Sequence, residues 1–338
     1  MHLERRATLW LLATTFIWGS TFFSMKMGQA AIETAAGRAS WHSGLLFLTI
    51  RFTLATILLS IFLPRAWRVL TGPAFRDSLI VSLPGVIGIA LQSAALRDGS
   101  SATVAFITSL TIVTVPVVGW IFLRQRLTPA LWIGASLSLL GVFVMTRPWS
   151  GDFGWPEVFT LIGTVLFGFQ IHFINHYTRK HDPEAITLGA FIHSVWACLL
   201  ILVALPAGRA FLDPDTLVKL VQPIESPEAV QRWAVYWTIP YHALFASVIA
   251  FLVMMRYQRD VHPTRAVIIY CLEPVFAAWL AWWIASEGMS ALELAGAGLV
   301  IAGNLACEWL RRNEGPVPAR PEEAMTPGTP APPPPSRT

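Results

Sequence analysis

Residues 101–126 read SATVAFITSLTIVTVPVVGWIFLRQR, and residues 263–288 read PTRAVIIYCLEPVFAAWLAWWIASEG. Both stretches are long apolar runs, and they align without a gap when Leu110 is placed on Leu272 (272 − 110 = 162). The same offset of 162 aligns further pairs on either side: Arg97-Asp98 with Arg259-Asp260, Gly134 with Gly296, and Gly141 with Gly303. Self-similarity at one fixed offset indicates an internal duplication. The sequence therefore predicts two copies of one structural unit.

The composition argues against a soluble protein. Of the 338 residues, 54% are hydrophobic and only 13% are charged, whereas a soluble domain carries about 25% charged residues. A net charge of +4 would suit a nucleic-acid partner only if the basic residues formed one continuous face. Here they occur in short clusters between apolar runs. We therefore expect a surface that faces lipid, and no nucleic-acid partner.

Ten apolar segments approach the length needed to cross a bilayer as an α-helix, which is about 20 residues. They lie near residues 9–27, 43–63, 78–96, 101–123, 130–146, 157–175, 186–206, 236–257, 264–284 and 291–310. We predict an all-α integral membrane protein with ten transmembrane helices in two five-helix units. The expected units are residues 7–146 and 155–312. Residues 313–338 are rich in proline, alanine and threonine, so we expect a disordered cytoplasmic tail there.

The distribution of basic residues predicts the orientation. If both termini are cytoplasmic, the inner loops and helix ends hold fourteen Lys and Arg residues and the outer side holds six, as the positive-inside rule requires. Because five helices per unit is an odd number, the second unit must cross the membrane in the opposite sense. Inverted repeats of this kind are typical of secondary transporters, which expose a site near the midplane to each side in turn. The expected location is the cytoplasmic (inner or plasma) membrane.

Several short motifs occur in a fixed order along the chain. They are Trp18-Gly19-Ser20-Thr21-Phe22 with Lys26, Arg51-Phe52 with Ala55, Ile107-Thr108-Ser109-Leu110, and Leu272-Glu273-Pro274-Val275. With these motifs, residues 7 to 310 resemble the EamA-type branch of the drug/metabolite transporter superfamily. The resemblance implies export or exchange of small polar metabolites such as amino acids. One departure is Arg124-Gln125 where the family commonly has a Gly-Glu pair, although the second copy keeps an acid, Glu287, at the matching place (287 − 125 = 162).

Three charged residues lie inside predicted spans, where a charge costs about 2.5–3.5 kcal/mol even on insertion scales. They are Glu273, Arg51 and Lys26. In the functional interpretation, Glu273 binds a substrate amine or a coupling proton, and Arg51 or Lys26 holds a substrate carboxylate. In the structural alternative, Arg51 and Glu273 fix helix packing and Lys26 reaches the outer surface. Pro274 lacks an N–H group, so it loosens the helix beside Glu273.

Polar and aromatic residues at similar depth form a second group of substrate-binding candidates: Trp18, Gln92, Asn175, Trp196, Tyr241 and Tyr270. For each aromatic residue, ordinary packing is the alternative. His193 and His242 are further hydrogen-bonding or proton-carrying candidates, with a satisfied buried histidine as the alternative for both. Small residues recur every four positions in the last predicted span, at Gly298, Ala302 and Ala306, and in the fifth, at Gly134 and Ser138, which favours close helix packing or a homodimer.

The sequence gives little support to other functional classes. His172 and His176 have a spacing that can ligate a metal, but Phe173-Ile174-Asn175 supplies no acid of the H-E-x-x-H type, so no metal site is predicted. A phosphate-binding glycine motif is absent, and we expect no cofactor and no catalytic residues. The competing class is a non-transporting intramembrane enzyme or receptor-like protein. It would need a converging catalytic cluster or a substantial soluble domain, and neither can be assembled from the sequence.

Overall fold

The computed structural model describes residues 2–124, 129–147, 149, 151, 153–221, 227–257, 269–270, 272–286 and 288–313. Throughout these ranges the regular structure is helical, and no β-strand occurs in them. The prediction of a helical chain is therefore confirmed. Gln125, Glu287 and residues 314–338 of the expected tail lie outside the described residues.

The helices follow one another with short connections. In the first part of the chain they are α1 (His2–Ala36), α2 (His42–Phe62), α3 (Arg65–Val69), α4 (Gly72–Asp98), α5 (Ser101–Thr108), α6 (Thr111–Leu123) and α7 (Pro129–Thr146). In the second part they are α8 (Trp155–Tyr177), α9 (Pro183–Ala204), α10 (Pro206–Arg209), α11 (Pro214–Val221), α12 (Pro227–Tyr241), a π-helix (His242–Ile249), α13 (Ala250–Tyr257), α14 (Glu273–Ala285) and α15 (Ala291–Asn313). The predicted spans fall on these helices, except that residues 264–268 and 271 of the ninth span lie outside the described residues.

Six helical stretches are long and apolar enough to cross a membrane. They are His42–Phe62, Gly72–Asp98, Ser101–Phe122, Trp155–Tyr177, Pro183–Ala204 and Ala234–Met254. Two shorter apolar helices, Trp132–Thr146 and Ala291–Ala306, accompany them. Large apolar side chains stay exposed along these helices, Trp132 and Leu200 among them. Such a surface fits lipid rather than water, in agreement with a membrane protein.

The helix predicted over 101–123 is interrupted at Leu110, between α5 and α6. The Leu110 N–H group donates to the Ile107 carbonyl at 3.1 Å, a tight turn, and the α-helical pattern resumes with Thr114 N–H to Leu110 O at 2.9 Å. The second copy has the same two bonds: Leu272 N–H to Ile269 O at 3.1 Å and Phe276 N–H to Leu272 O at 3.0 Å. Each residue of the second set is 162 positions beyond its counterpart in the first.

Proline alone does not cause this break. Pro274 stands at the start of α14 and removes one backbone donor, but its counterpart in the first copy is Ile112 (274 − 162 = 112), which has a normal N–H group. The expectation that Pro274 loosens the second helix was therefore incomplete. The interruption is a property of both copies, and Pro274 is compatible with it.

The two interrupted helices also end alike. Arg124 and Ser286, again 162 positions apart, cap α6 and α14 in the left-handed region, with φ of 53° and 56°. Their N–H groups donate to the carbonyls of Gly119 and Ala281, which keep the same offset. A left-handed conformation costs a residue with a Cβ about 1–2 kcal/mol. The duplication is therefore visible in backbone geometry as well as in sequence.

The helices α7 and α15 pack against each other as an antiparallel pair. A Cβ atom placed on Gly141 would lie 2.6 Å from the carbonyl oxygen of Gly296, and one placed on Gly303 would lie 2.8 Å from that of Gly134. Small residues permit such close approach in lipid. The stripe expected at Gly298 is not at this contact, since a Cβ there would meet no described atom within 4 Å. The close pair is built from the glycines of the duplicated pattern, and the predicted stripe of Gly134 and Ser138 lies at it, against Gly303.

The remaining helices pack mainly between the two parts of the chain. α1 lies against α14 and against α12–α13, while α8 lies against α4 and against α5–α6. α2 packs on α9. The interrupted helices therefore lie beside α1 and α8, and the candidate residues on α1 and α14 meet there.

Candidate functional site

Trp18 joins three elements at the centre of the helix packing. Its indole Nε1 donates to the carbonyl oxygen of Ala246 in the π-helix at 3.2 Å. Its ring lies 6.0 Å from the Tyr270 ring and 6.1 Å from the Phe251 ring, measured between centroids. The structure thus brings together two of the aromatic candidates, Trp18 and Tyr270, next to the break in the second copy.

Glu273 is the first residue of α14, immediately after that break. Its side chain is half-buried, and its carboxylate forms no ion pair with any residue in the described ranges. Gly19 on α1 packs on its backbone: a Cβ at position 19 would lie 2.8 Å from the Glu273 carbonyl oxygen. An acid in the first turn is also favourably placed relative to the helix dipole. Glu273 is therefore a half-buried acid that has no ion partner among the described residues.

Two serines on α1 bind side chains at the end of α12 and the start of the π-helix. The Ser20 hydroxyl lies 2.5 Å from the Tyr241 hydroxyl, and the Ser24 hydroxyl lies 2.8 Å from Nε2 of His242. Tyr241 was a sequence candidate, but Ser20 and Ser24 were not. Their spacing of four residues, one helical turn, is the only sequence signal that they share a face.

Arg51 lies close to the midpoint of α2, at 3% exposure. Its Nε donates to the hydroxyl of Ser247 in the π-helix at 2.9 Å, and its guanidinium carbon lies 5.3 Å from the centre of the Phe52 ring. No acid of the described chain forms an ion pair with it. A buried charge of this kind is usually paired or functional.

The π-helix places His242 and Ser247 on one side of the chain. They are five residues apart, and the hydrogen bonds of a π-helix connect residues five apart, so Ser247 follows His242 by about one turn. In an α-helix the same spacing would separate them by roughly 140° around the axis. Both side chains meet α2: the His242 ring packs edge-on against Phe47, with centroids 5.0 Å apart, and Ser247 binds Arg51. π-helical turns are often found at functional sites.

The two parts of this chain match one protein family. A model described as the EamA-like transporter family matches residues 5–147 and again residues 154–306. The chain belongs to the EamA-like transporter family. The resemblance inferred from the motifs is confirmed, and the protein is a membrane transporter.

Known relatives of this EamA-like transporter share about a quarter of its residues. An uncharacterized transporter of Archaeoglobus fulgidus is 24% identical over 87% of this chain and 83% of its own length. The uncharacterized inner membrane transporter YedA of Escherichia coli is 25% identical over 86% and 87%. A riboflavin transporter of Rhizobium johnstonii is 28% identical, but only over 29% of this chain and 32% of its own length.

A crystal structure of another protein has the same fold. It superposes with a TM-score of 0.60 over 93% of this chain and all of that one, at 16% sequence identity. At this identity the likeness concerns the fold alone.

Some candidate residues of this EamA-like transporter are not part of the group formed around Trp18, Tyr241 and Arg51. Lys26 donates to the carbonyl of Gly99 at the end of α4, at 3.0 Å. Asn175 is exposed, and Trp196 has 66% of its surface exposed on α9. Hydropathy predicted the depth of Asn175 and Trp196 but not their direction around the helix, and the structure leaves both side chains exposed.

Gln92 lies at the other break. Its amide nitrogen donates to the hydroxyl of Thr108, the last residue of α5, at 2.9 Å. Thr108 is the counterpart of Tyr270 (270 − 108 = 162). Gln92 therefore borders the interrupted helix of the first copy, in the same way that Trp18 borders that of the second.

His172 has an evident packing role. One of its ring nitrogens, Nε2, lies 2.8 Å from the carbonyl oxygen of Val115 on α6, so this nitrogen is used between two helices. His176 is exposed. The pair that invited a metal interpretation therefore has a structural explanation for one member.

Proposed function

We propose that this EamA-like transporter is a secondary transporter that moves a small polar, amino-acid-like metabolite across the cytoplasmic membrane by alternating access, working as an exporter. One observation carries the proposal: both copies interrupt the same transmembrane helix at the same place, and Glu273, an acid with no ion partner among the described residues, begins the second half of one of them. Interrupted helices near mid-depth are where transporters bind solutes, because the freed backbone groups and helix ends face the site.

An inverted repeat of residues 7–146 and 155–312, with five transmembrane helices each, supplies the moving parts. This repeat is supported by the glycine contacts between α7 and α15, which map onto each other when the two copies are swapped. Gly134 and Gly296 are counterparts, as are Gly141 and Gly303, and the contact of Gly141 with Gly296 becomes that of Gly303 with Gly134 when the copies are swapped. Contacts that map onto each other in this way are the mark of a two-fold relationship.

The helix packing has the same property. Exchange of the copies turns the contact of α1 with α14 into that of α8 with α5–α6, and the contact of α1 with α12–α13 into that of α8 with α4. Alternating access then consists of rocking one unit against the other, with the solute held between them. Both termini lie in the cytoplasm in this proposal, because the inner side then carries fourteen basic residues against six.

The solute site comprises the residues around the break in the second copy. Glu273 binds the solute amine or a coupling proton, and Trp18, Tyr241 and Tyr270 form the polar and aromatic wall next to it. Arg51 supplies a positive charge from α2. A proton gradient or exchange against a second solute drives the cycle, since no motif for ATP binding was found in the sequence.

Solute flux in reconstituted vesicles tests the proposal. Purified full-length protein is placed in liposomes loaded with labelled amino acids, and efflux is followed with and without a pH gradient. We expect saturable efflux that the gradient alters. Protein that is correctly inserted but moves none of the panel in either direction would contradict transport of amino-acid-like solutes and favour the competing receptor or enzyme class.

A pair of isosteric substitutions tests the role of Glu273 in the same vesicles. Glu273→Gln removes the carboxylate charge with almost no change of shape, and we expect flux to fall by about tenfold or more, the effect of losing one charge-assisted hydrogen bond. Glu293→Gln is the matched control, because Glu293 only accepts from the Ser290 backbone N–H at the exposed start of α15. Normal flux in an inserted Glu273→Gln protein would show that Glu273 is structural.

A further inference from the structure

His242 is held in one tautomer by a chain of hydrogen bonds from α1. The Ser24 hydroxyl donates its single proton to the carbonyl oxygen of Ser20 at 2.8 Å, so it can only accept from Nε2 of His242, 2.8 Å away. Nε2 therefore carries a hydrogen. In a neutral imidazole the other nitrogen, Nδ1, is then a hydrogen-bond acceptor.

This Nδ1 acceptor has no donor in the described chain. The His242 side chain is fully buried, and Nδ1 is a buried atom without a hydrogen-bond partner. Buried polar atoms of native proteins are nearly always satisfied, so an exception calls for an explanation. A hydrogen-bond donor of a bound molecule would satisfy it.

Arg51, on the same side of the π-helix, has hydrogen-bond donors without acceptors, the opposite of the unused acceptor on His242. Its Nε is occupied by Ser247, which leaves the two terminal nitrogens without an acceptor among the residues that the structure describes. Ser247, which the guanidinium binds, follows His242 by about one turn of the π-helix. Phe47, one turn before Arg51 on α2, touches the same ring. A fixed cation and an unused acceptor therefore lie about one helical turn apart, where α2 packs on the π-helix.

We propose that Arg51 and His242 together recognise the acidic end of the solute, which bears a carboxylate next to a hydrogen-bond donor, as in an α-amino acid or an α-hydroxy acid. The carboxylate binds the terminal nitrogens of Arg51, for which a guanidinium has matching geometry. The neighbouring ammonium or hydroxyl group donates one hydrogen to Nδ1 of His242, and an ammonium keeps two further N–H donors for Glu273. This inference rests on the transport function proposed above, and it adds His242 and the part of the solute that His242 and Arg51 recognise together.

Three probes with one carbon skeleton separate the two interactions. L-leucine has both groups, 4-methylpentanoate has the carboxylate alone, and L-leucinamide has the ammonium alone. Binding of each to the full-length protein in detergent is measured by calorimetry, and repeated with the matching alanine and phenylalanine sets. We expect the wild-type protein to bind at least one acid about tenfold more tightly than its amide.

Two substitutions assign the interactions to residues. Arg51→Gln should abolish the preference for acids over amides. His242→Gln keeps a side-chain amide where Nε2 lies, and with it the donor to Ser24, but removes Nδ1. It should weaken the amino acid about tenfold and leave the deaminated acid unchanged. The control is His193→Gln, because the His193 Nε2 only meets the carbonyl of Phe75 at the exposed side of α9.

Two results would overturn the inference. One is a wild-type protein that shows no preference for the acid in any of the three sets, including one that binds none of the probes. The other is a His242→Gln protein in which all three probes weaken equally, the signature of a purely structural histidine. Because binding needs no gradient, a protein that prefers acids but moves no solute would contradict the transport cycle and leave this site in place.

Discussion

Gly141 and Gly296 face each other across the α7–α15 pair, and each leaves room for the backbone of the other. A Cβ atom on either glycine would lie 2.6 Å from the carbonyl oxygen of its partner. Side-chain packing therefore cannot replace this contact, because the surfaces that touch are backbone. Because Gly296 is the counterpart of Gly134 and Gly303 that of Gly141, the pattern that revealed the duplication also brings its two final helices together.

The first prediction is that Gly141→Ala destabilises the protein by about 1–3 kcal/mol, as overpacking of a close contact does. The helices α7 and α15 must separate to admit the methyl group. Unfolding of the purified protein in a denaturing detergent measures the effect. The matched control is Gly298→Ala, where the methyl group meets no described atom within 4 Å and alanine favours the helix by about 1 kcal/mol. Equal effects of the two substitutions would contradict the proposed contact.

The second prediction concerns the left-handed cap of α14. Ser286 has φ of 56°, so Ser286→Gly should stabilise the protein by about 1 kcal/mol through release of steric strain. Thermal unfolding in detergent measures the change. Ala278→Gly within α14 should do the opposite, costing about 1 kcal/mol, since that residue is in an ordinary right-handed helix. A Ser286→Gly protein that unfolds as early as the Ala278→Gly one would argue against the cap.

The third prediction separates Pro274 from the helix break. Because the first copy is interrupted at Leu110 with Ile112 in the place of this proline, Pro274→Ala should leave the second break intact. Hydrogen exchange of the backbone amides near Leu272 tests this, and the wild-type and variant proteins should exchange at similar rates there. Strong new protection at Leu272 and Glu273 would indicate one continuous helix, and would make the proline its cause.

The fourth prediction compares Glu33, a partly buried carboxylate with several hydrogen-bond donors, with the exposed ion pair of Arg65 and Asp182. Glu33 accepts through Oε1 from the Ser40 backbone at 3.0 Å, the Ser43 hydroxyl at 3.1 Å and Arg97 Nε at 2.9 Å. Glu33→Ala leaves these donors without a partner, and we expect a loss of about 1–3 kcal/mol in the free energy of unfolding.

The control for Glu33 is the ion pair of Arg65 with Asp182 at 3.2 Å, in which the Arg65 side chain is 67% exposed. An exposed pair contributes little, so Arg65→Ala should change the free energy of unfolding by less than about 0.5 kcal/mol. Similar losses in the two variants would mean that Glu33 also acts as a simple surface pair.

The amino-acid sequence by itself determined the membrane class, the positions of the helices and the duplication. These properties depend on the linear sequence alone. The hydropathy of a span depends on composition in a window of about 20 residues. The offset between Leu110 and Leu272 is found by aligning the chain with itself. It also identified Arg51 and Glu273, because a charge inside an apolar span stands out without any structure.

Tertiary structure alone decided which sides of the helices meet. In lipid both the packed side and the exposed side of a helix are apolar, so hydrophobic periodicity does not separate them. Trp196 and Tyr241 were therefore equal candidates in the sequence, whereas the structure exposes the first and binds the second to Ser20. The π-helical turn that aligns His242 with Ser247 is likewise seen only in the structure, because no local pattern in those eight residues predicted it.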